Sequence, residues 1–357
     1  MAPKVTVLMA VYNGELFLRA AIDSVLSQTF TDFEFIIYDD ASTDSTPEIL
    51  RSTQDARLRV IRNPENVGQR VSAQRGLQIA CGEYIARLDA DDLCRRTRLE
   101  KKVAYLDAHP EIAVVGSACE FVDKDGRVLK ASYPPSQPLL VEWHTHFTNV
   151  ILNSTVLYRR EAVTAIGGYR PEAFAEDYDL WSRMLRAKAG LAQLDEVLAQ
   201  IRQHERQVSR VTRERMVSSA VGIVCENIQS LLGYAVDRDV AACLYGAPLS
   251  EPVPPEMLSK SIRVLDESLK VFTHRRAGDQ SSRHMLLSGS LRNLYRLARM
   301  SGSSRIQPFR VALAYGLRYT PGTLFTSRFL RFAARVLLPA AQDRLREPSR
   351  RDEFYDQ

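Results

Sequence analysis

Apolar positions in the first 210 residues follow two rhythms. Short β-rich runs, "VTVLMAVY" (5–12), "FEFIIYDD" (33–40), "LRVIRN" (58–63) and "GEYIARLD" (82–89), read as strands, the first of them buried. Between them the spacing changes to three and four. Leu18, Ile22, Val25 and Leu26 mark one helix, and residues 69–80 mark another. A further helix is expected after Ser45, where Glu48 completes a capping-box pattern and Pro47 sits in the first turn. This βαβαβαβ order implies a parallel sheet with helices on its faces, and ligands of such sheets bind outside the carboxyl ends of the strands. Asp39, Asp40, Asp89 and Asp91 all fall at such ends.

Further along, a helix is expected over 97–109, and Asp125-Gly126 within "IAVVGSACEFVDKDGRVL" reads as a hairpin turn. "ILNSTVLYRR" (151–160) reads as a strand. "GGYRPEAFAEDYDLWSRML" (167–185) reads as a glycine-bearing loop entering a helix, in which Trp181 suits core packing. Beyond Arg210 the strand signals stop. The expected division is an α/β domain over 1–210 and a helical region over 211–357, with "GAPLSEPVPPE" (246–256) as an exposed connector.

Composition narrows the class. With 45% hydrophobic and 25% charged residues the chain is an ordinary globular protein rather than a disordered one. The five cysteines, 81, 94, 119, 225 and 243, show no CxxC spacing, which argues against a disulfide framework or thiolate zinc site and for a reducing, cytoplasmic setting. The first residues lack a signal-peptide pattern, and no apolar window is long enough for a transmembrane helix. The net charge of +5 is uneven. From Ser281 onward fourteen Arg face five Asp or Glu, a local +9, which leaves −4 for residues 1–280.

Chemistry concentrates in "LDADD". Asp89, Asp91 and Asp92 within four residues repel one another by roughly 4 kcal/mol per pair at about 4 Å and an effective dielectric near 20. A solvated acidic turn is one answer. The other is a hard divalent cation, which takes oxygen ligands and shares carboxylates with substrate phosphates. An Asp-x-Asp phosphatase of the haloacid-dehalogenase type is the main enzymatic rival, although that chemistry wants its nucleophile on an early strand and this cluster follows the fourth.

Five pieces in order carry a resemblance: "VTVLMAVYNGELFLRAAIDSVLSQTFTDFEFIIYDDASTDST", "NPENVG", "ACGEYIARLDADD", "GGYRPEAFAEDYDLWSRM" and "RQHERQVS". Over roughly residues 4–210 the chain resembles the family 2 inverting glycosyltransferases of the GT-A fold. The resemblance implies a nucleotide-diphosphate sugar donor, UDP-linked first, with Mn²⁺ or Mg²⁺. It implies that Asp40 accepts a hydrogen bond from the uracil imide and that Ala10, Tyr12, Asn13, Asn66, Asp89 and Ala90 line the donor. Asp91 becomes the direct metal ligand, Asp89 stands nearer the ribose or a metal-bound water, and His204 joins the metal or diphosphate. Asp177 becomes the base for the acceptor hydroxyl, with Glu176 and Asp179 as rivals.

One departure stands out. Where the family often has Ala-Arg-Asn, this chain has Ser72-Ala73-Gln74, with arginines displaced to Arg70 and Arg75 as donor-site candidates. Arg202, Arg206 and Arg210 are further candidates for gripping phosphates. The Gln-x-x-Arg-Trp motif of processive synthases is missing, so addition of one sugar is expected, to a glycan or lipid-linked acceptor in bacterial surface polysaccharide synthesis. A catalytically inactive sugar-binding protein of the same fold is the non-enzymatic alternative. The segments "SLRNLYRLARM" (290–300) and "TSRFLRFAARVLLPAAQDRL" (326–345) mix apolar residues with arginine at helical spacing. That pattern suits either packing on the rest of the protein or peripheral contact with an anionic membrane, and nucleic acid is not an expected partner.

Overall fold

The central apolar runs become strands because both faces of the sheet are covered there, whereas the edge strand Leu58–Arg62 has no buried residue. In the computed structural model, which describes residues 2–205, 207, 212–247, 253–300, 313 and 333, strand β1 (Val5–Val11) pairs in parallel with β2 (Phe33–Asp39) and with β4 (Tyr84–Arg87). β3 (Leu58–Arg62) extends the parallel part beyond β2. Alternate residues go to opposite faces, as the pleat requires. Val5, Val7, Met9 and Val11 pack with helices α1 (Leu18–Leu26) and α4 (Arg98–Ala108). Leu8, Ile36 and Tyr38 pack with α3 (Gln69–Ile79) and α7 (Glu176–Arg186). A strand buried on both sides must be apolar at nearly every position.

Past β4 the sheet becomes mixed. Among the described residues its order is β3-β2-β1-β4-β8-β6-β9-β5, with β7 (Val128–Ser132) forming a hairpin on β6 (Ile112–Val122). β8 (Leu157–Arg159) runs antiparallel to β4 and β6. β9 (Gly190–Arg202) runs parallel to β6 and antiparallel to the two-residue β5 (Leu93–Cys94). The hairpin turn uses Gly126 at φ 84°, as its Asp-Gly pair predicts.

Two local expectations are corrected. α2 (Thr46–Ser52) starts where predicted, but the Ser45 side chain makes no capping bond. Asp44 Oδ1 accepts from Thr46 N at 2.9 Å, and Glu15 Oε2 accepts from Ser45 N at 3.1 Å. The segment 151–160 is a strand only over Leu157–Arg159, and Asn153–Thr155 is a 3-10 turn. There both Thr155 N and Thr155 Oγ1 donate to Leu152 O, a local bond that competes with the sheet ladder.

One compact unit falls on Met1–Val141 and Asn149–Arg213 and contains every site described below. A second unit takes Glu142–Thr148 and the described residues from Glu214 on. It is built on α8 (Arg213–Leu232), α9 (Arg238–Tyr245), α10 (Pro255–Arg276) and α11 (Gln280–Met300). Within it Trp143 packs against Phe147 and Phe272, while Arg276 pairs with Glu142 at 2.7 Å. No helix among the described residues is long and apolar enough to cross a membrane. The arginine-rich segment 326–345, apart from residue 333, lies outside the described residues, as do Arg206 and Arg210.

Candidate functional site

The loops after β1, β2 and β3 are tied to one another by side chains. Asn13, at φ 51°, accepts from Thr43 N through Oδ1 at 2.8 Å, and its own N–H donates to Ser42 Oγ at 3.0 Å. Asp39 accepts from Ser42 N and from the Arg62 guanidinium. Asp40, also buried, accepts from Asn63 Nδ2 (2.8 Å) and Val67 N (3.0 Å) on Oδ1 and from Gly68 N (2.8 Å) on Oδ2. Its carboxylate therefore shapes the "NPENVG" loop from within. Tyr12 is exposed beside this loop system, Ala10 lies at the end of β1, and Asn66 Oδ1 accepts from Gly68 N at 3.2 Å.

The Asp89–Asp92 segment follows β4. Asp91 Oδ2 lies 2.9 Å from His204 Nε2, so residues 113 apart in sequence meet. Arg202 locks this arrangement. Its Nε donates to Asp91 O at 3.0 Å, its N–H to Asp92 Oδ1 at 2.8 Å, and its guanidinium stacks 4.6 Å over Phe17, whose ring also lies 5.0 Å from that of His204. With two further bonds to Asp123 O and Lys124 O, Arg202 is a loop brace and not a free phosphate grip. Asp92 is buried. Burial, reinforced by the neighbouring Asp91, pushes its carboxyl well up.

Asp89 faces the other way. Its Oδ1 accepts from Asn153 Nδ2 (2.9 Å) and Gln69 Nε2 (3.2 Å), and its N–H donates to Ser154 Oγ. Arg87 Nη2 stands 3.7 Å from the same oxygen, on a side chain 1% exposed. Burial raises the Asp89 carboxyl to about 6 against the opposing pull of Arg87. Ala90 packs at the margin of the core.

The third group begins α7. Glu176 Oε1 accepts from Gln69 Nε2 at 3.2 Å. Burial and then the charge of Asp177 push its carboxyl up to about 8. Burial also raises Asp177, but Asn149 Nδ2 donates to its Oδ2 at 2.8 Å and Tyr178 N to its Oδ1 at 2.7 Å, and both bonds favour the ionised form. The third rival, Asp179, is buried and committed to Arg183 Nε at 2.8 Å, which leaves it a framework role.

Among the side chains here not singled out from sequence are Gln69, Arg87 and Asn153. Their signal was position alone, since each lies at or beside the carboxyl end of the sheet. Arg70 and Arg75 are turned to protein partners. Arg70 Nε donates to Pro171 O at 2.9 Å, and Arg75 Nη1 to Asn63 Oδ1 at 2.7 Å.

The donor set suits a divalent cation in part. Asp91 and His204 offer a hard oxygen and an imidazole nitrogen on partly accessible side chains, while Asp89 Oδ1 is already engaged by two amides. Among the described residues no group of three or more His, Cys, Asp or Glu comes together as a metal site. A cation held here would therefore take two protein ligands and draw the rest from phosphate and water, as Mg²⁺ commonly does.

Comparison with known proteins agrees with this geometry. Residues 6–167 match the model of glycosyl transferase family 2. The chain is 34% identical over 243 residues to an uncharacterized glycosyltransferase of Haemophilus influenzae, covering 63% of this chain and 73% of that protein. It is 28% identical over 245 residues to the Escherichia coli UDP-Glc:alpha-D-GlcNAc-diphosphoundecaprenol beta-1,3-glucosyltransferase WfaP, covering 67% of this chain and 95% of the relative. Its fold is similar to the crystal structure of S. aureus TarS 1–349 in complex with UDP-GlcNAc, with a TM-score of 0.55, 18% identity and coverage of 90% and 93% of the two chains. A sheet that places its acidic loops at one edge, and relatives that share most of their length with it, lead to one assignment: the chain belongs to glycosyl transferase family 2 and is a glycosyltransferase of the GT-A fold.

Proposed function

We propose that this glycosyltransferase moves one sugar, with inversion, from a UDP-sugar to a hydroxyl of a glycan or lipid-linked acceptor, using Asp177 as base and Asp91 with His204 as the cation site. The observation that carries the reading is the unequal treatment of two adjacent carboxylates. Asn149 Nδ2 and Tyr178 N donate to Asp177, whereas Glu176 accepts from the Gln69 amide and its carboxyl is pushed up by burial and by the charge of Asp177. An ionised Asp177 accepts the acceptor's hydroxyl proton as that oxygen bonds to the anomeric carbon. The bond from that carbon to the diphosphate breaks on the opposite face, and the electron pair leaves with UDP. A base so placed contributes about 10²- to 10⁴-fold. A divalent cation, when bound, supplies positive charge to the departing diphosphate. Asp91 and His204 would hold it, and Arg202 with Phe17 keeps that pair in place.

UDP is favoured by the WfaP relative, whose name gives UDP-Glc as donor and a diphosphoundecaprenol acceptor. Polysaccharide assembly on a lipid carrier is the corresponding pathway class. The test is slow hydrolysis of UDP-hexoses by the full chain with and without added Mn²⁺ or Mg²⁺. Hydrolysis that requires the metal is expected. Hydrolysis unaffected by chelation would reject the cation, and binding without any turnover would favour an inactive sugar-binding protein.

A further inference from the structure

Helix α3 does more than cover the sheet. Its first residue, Gln69, donates through one amide nitrogen to Asp89 and to Glu176, 3.2 Å in each case, so a single side chain bridges the loop after β4 and the start of α7. Arg70 donates to Pro171 O at 2.9 Å and lays its guanidinium 4.4 Å over the Phe174 ring. Gln74 Oε1 accepts from Tyr169 N at 2.7 Å, and its Nε2 reaches Gly167 O at 3.4 Å. This last contact explains a glycine. At Gly168, φ is +73°, and a Cβ would stand 2.2 Å from Gln74 Oε1. Three side chains of one helix therefore grip the beginning, middle and end of segment 167–176. The start of α3 is itself fixed, because Asp40 accepts from Val67 N and Gly68 N immediately before it.

We propose that α3 is the positioning element for the acceptor-side carboxylates, with Gln69 and Arg70 setting where Glu176 and Asp177 stand relative to Asp89. The proposal rests on the reading of Asp177 as base and deepens it. A loop carrying two adjacent glycines has little intrinsic preference for one conformation, so its geometry must be imposed from outside, and α3 supplies the contacts that impose it. Gln69 suits the task because its amide nitrogen carries two hydrogens, one for each carboxylate. Asparagine, one methylene shorter, cannot span both. Arg70 suits its own task through a planar face that stacks on Phe174, which lysine lacks. Its place on the acceptor loop also separates this role from a grip on the donor diphosphate, since the two make opposite predictions.

The experiment compares the full-length parent with Arg70→Ala, Arg70→Lys and Gln69→Asn. Amide hydrogen exchange over 167–177 is measured without ligand, UDP affinity with Mn²⁺ by calorimetry, and kcat and KM for UDP-glucose hydrolysis by steady-state kinetics. Exchange over 167–175 is expected to accelerate about 10-fold or more in Arg70→Ala. The kcat of both Arg70→Ala and Gln69→Asn should fall about 10-fold or more, as for a displaced reacting group. UDP affinity and KM should stay within about 2-fold of the parent, and Arg70→Lys should follow Arg70→Ala. Loss of UDP affinity with unchanged exchange, or restoration of affinity by Arg70→Lys, would assign Arg70 to the donor and overturn the proposal. Parental kcat in both Arg70→Ala and Gln69→Asn would overturn it too. The exchange measurement uses no ligand, so it decides the clamp independently of whether UDP is the donor.

Discussion

Two pairs of adjacent acids stand at the carboxyl edge of the same sheet, and the protein treats them in opposite ways. Asp39 and Asp40 are buried and surrounded by donors: backbone N–H groups of Ser42, Val67 and Gly68, the amide of Asn63 and the guanidinium of Arg62. Glu176 and Asp177 are half-buried, and there the Glu176 carboxyl is pushed up while it accepts from the Gln69 amide that it shares with Asp89. The first pair turns charge into loop architecture. The second places two adjacent carboxyls in unequal surroundings, Asp177 meeting Asn149 Nδ2 and Tyr178 N while Glu176 meets the Gln69 amide. A carboxylate at a strand end is thus defined by the donors that reach it, not by its residue type.

The comparison can be broken at several points. The largest effect is expected on the donor side, where Asp91→Ala should abolish transfer and the Mn²⁺-dependent part of UDP affinity together, because one oxygen serves both. Calorimetry with UDP and Mn²⁺ checks this, and parental affinity in the variant would move the cation elsewhere. Next comes Asp40→Ala, which leaves Val67 N, Gly68 N and the Asn63 amide without their acceptor and should cost about 2 kcal/mol or more in urea unfolding. A variant of parental stability would show that Asp40 is not the brace of its loop.

A further effect concerns pH. The Glu176 carboxyl is raised from 4.5 to about 8 in the folded state, so between those values the folded protein holds a proton that the unfolded chain has lost. Stability therefore falls as pH rises through that window. Glu176→Gln should flatten the decline between pH 5 and 8, leaving the parts due to Asp89, Asp92 and Asp177, which are shifted in the same direction. Equal slopes in parent and variant would show that Glu176 is not shifted.

The parallel half of the fold was legible because its signals are local. An unbroken apolar run such as Val5–Val11 announces a strand buried on both faces, and the acids at its neighbours' ends mark the ligand edge. The antiparallel insertion of β8 was only partly legible, since three paired residues inside the mixed ten-residue segment 151–160 leave little pattern. The acidic positions were legible too, but not their partners. Gln69 meets Glu176 across 107 residues and Asn153 meets Asp89 across 64, and nothing in either neighbourhood encodes the other. Ser45 illustrates the converse. Its capping-box pattern is present, yet Glu15 Oε2 takes the Ser45 N–H that the box would have paired with Glu48.

The central claim is that Asp177 takes the acceptor proton while Asp91 and His204 serve the donor. It is tested most directly by measuring UDP affinity and turnover together in Asp177→Asn, which keeps the shape of the side chain and removes its basicity. The account predicts UDP affinity with Mn²⁺ equal to the parent's and turnover lower by about 10²-fold or more. Near-parental turnover in a folded variant would contradict it and move the base to another carboxylate, with Glu176 the first to examine.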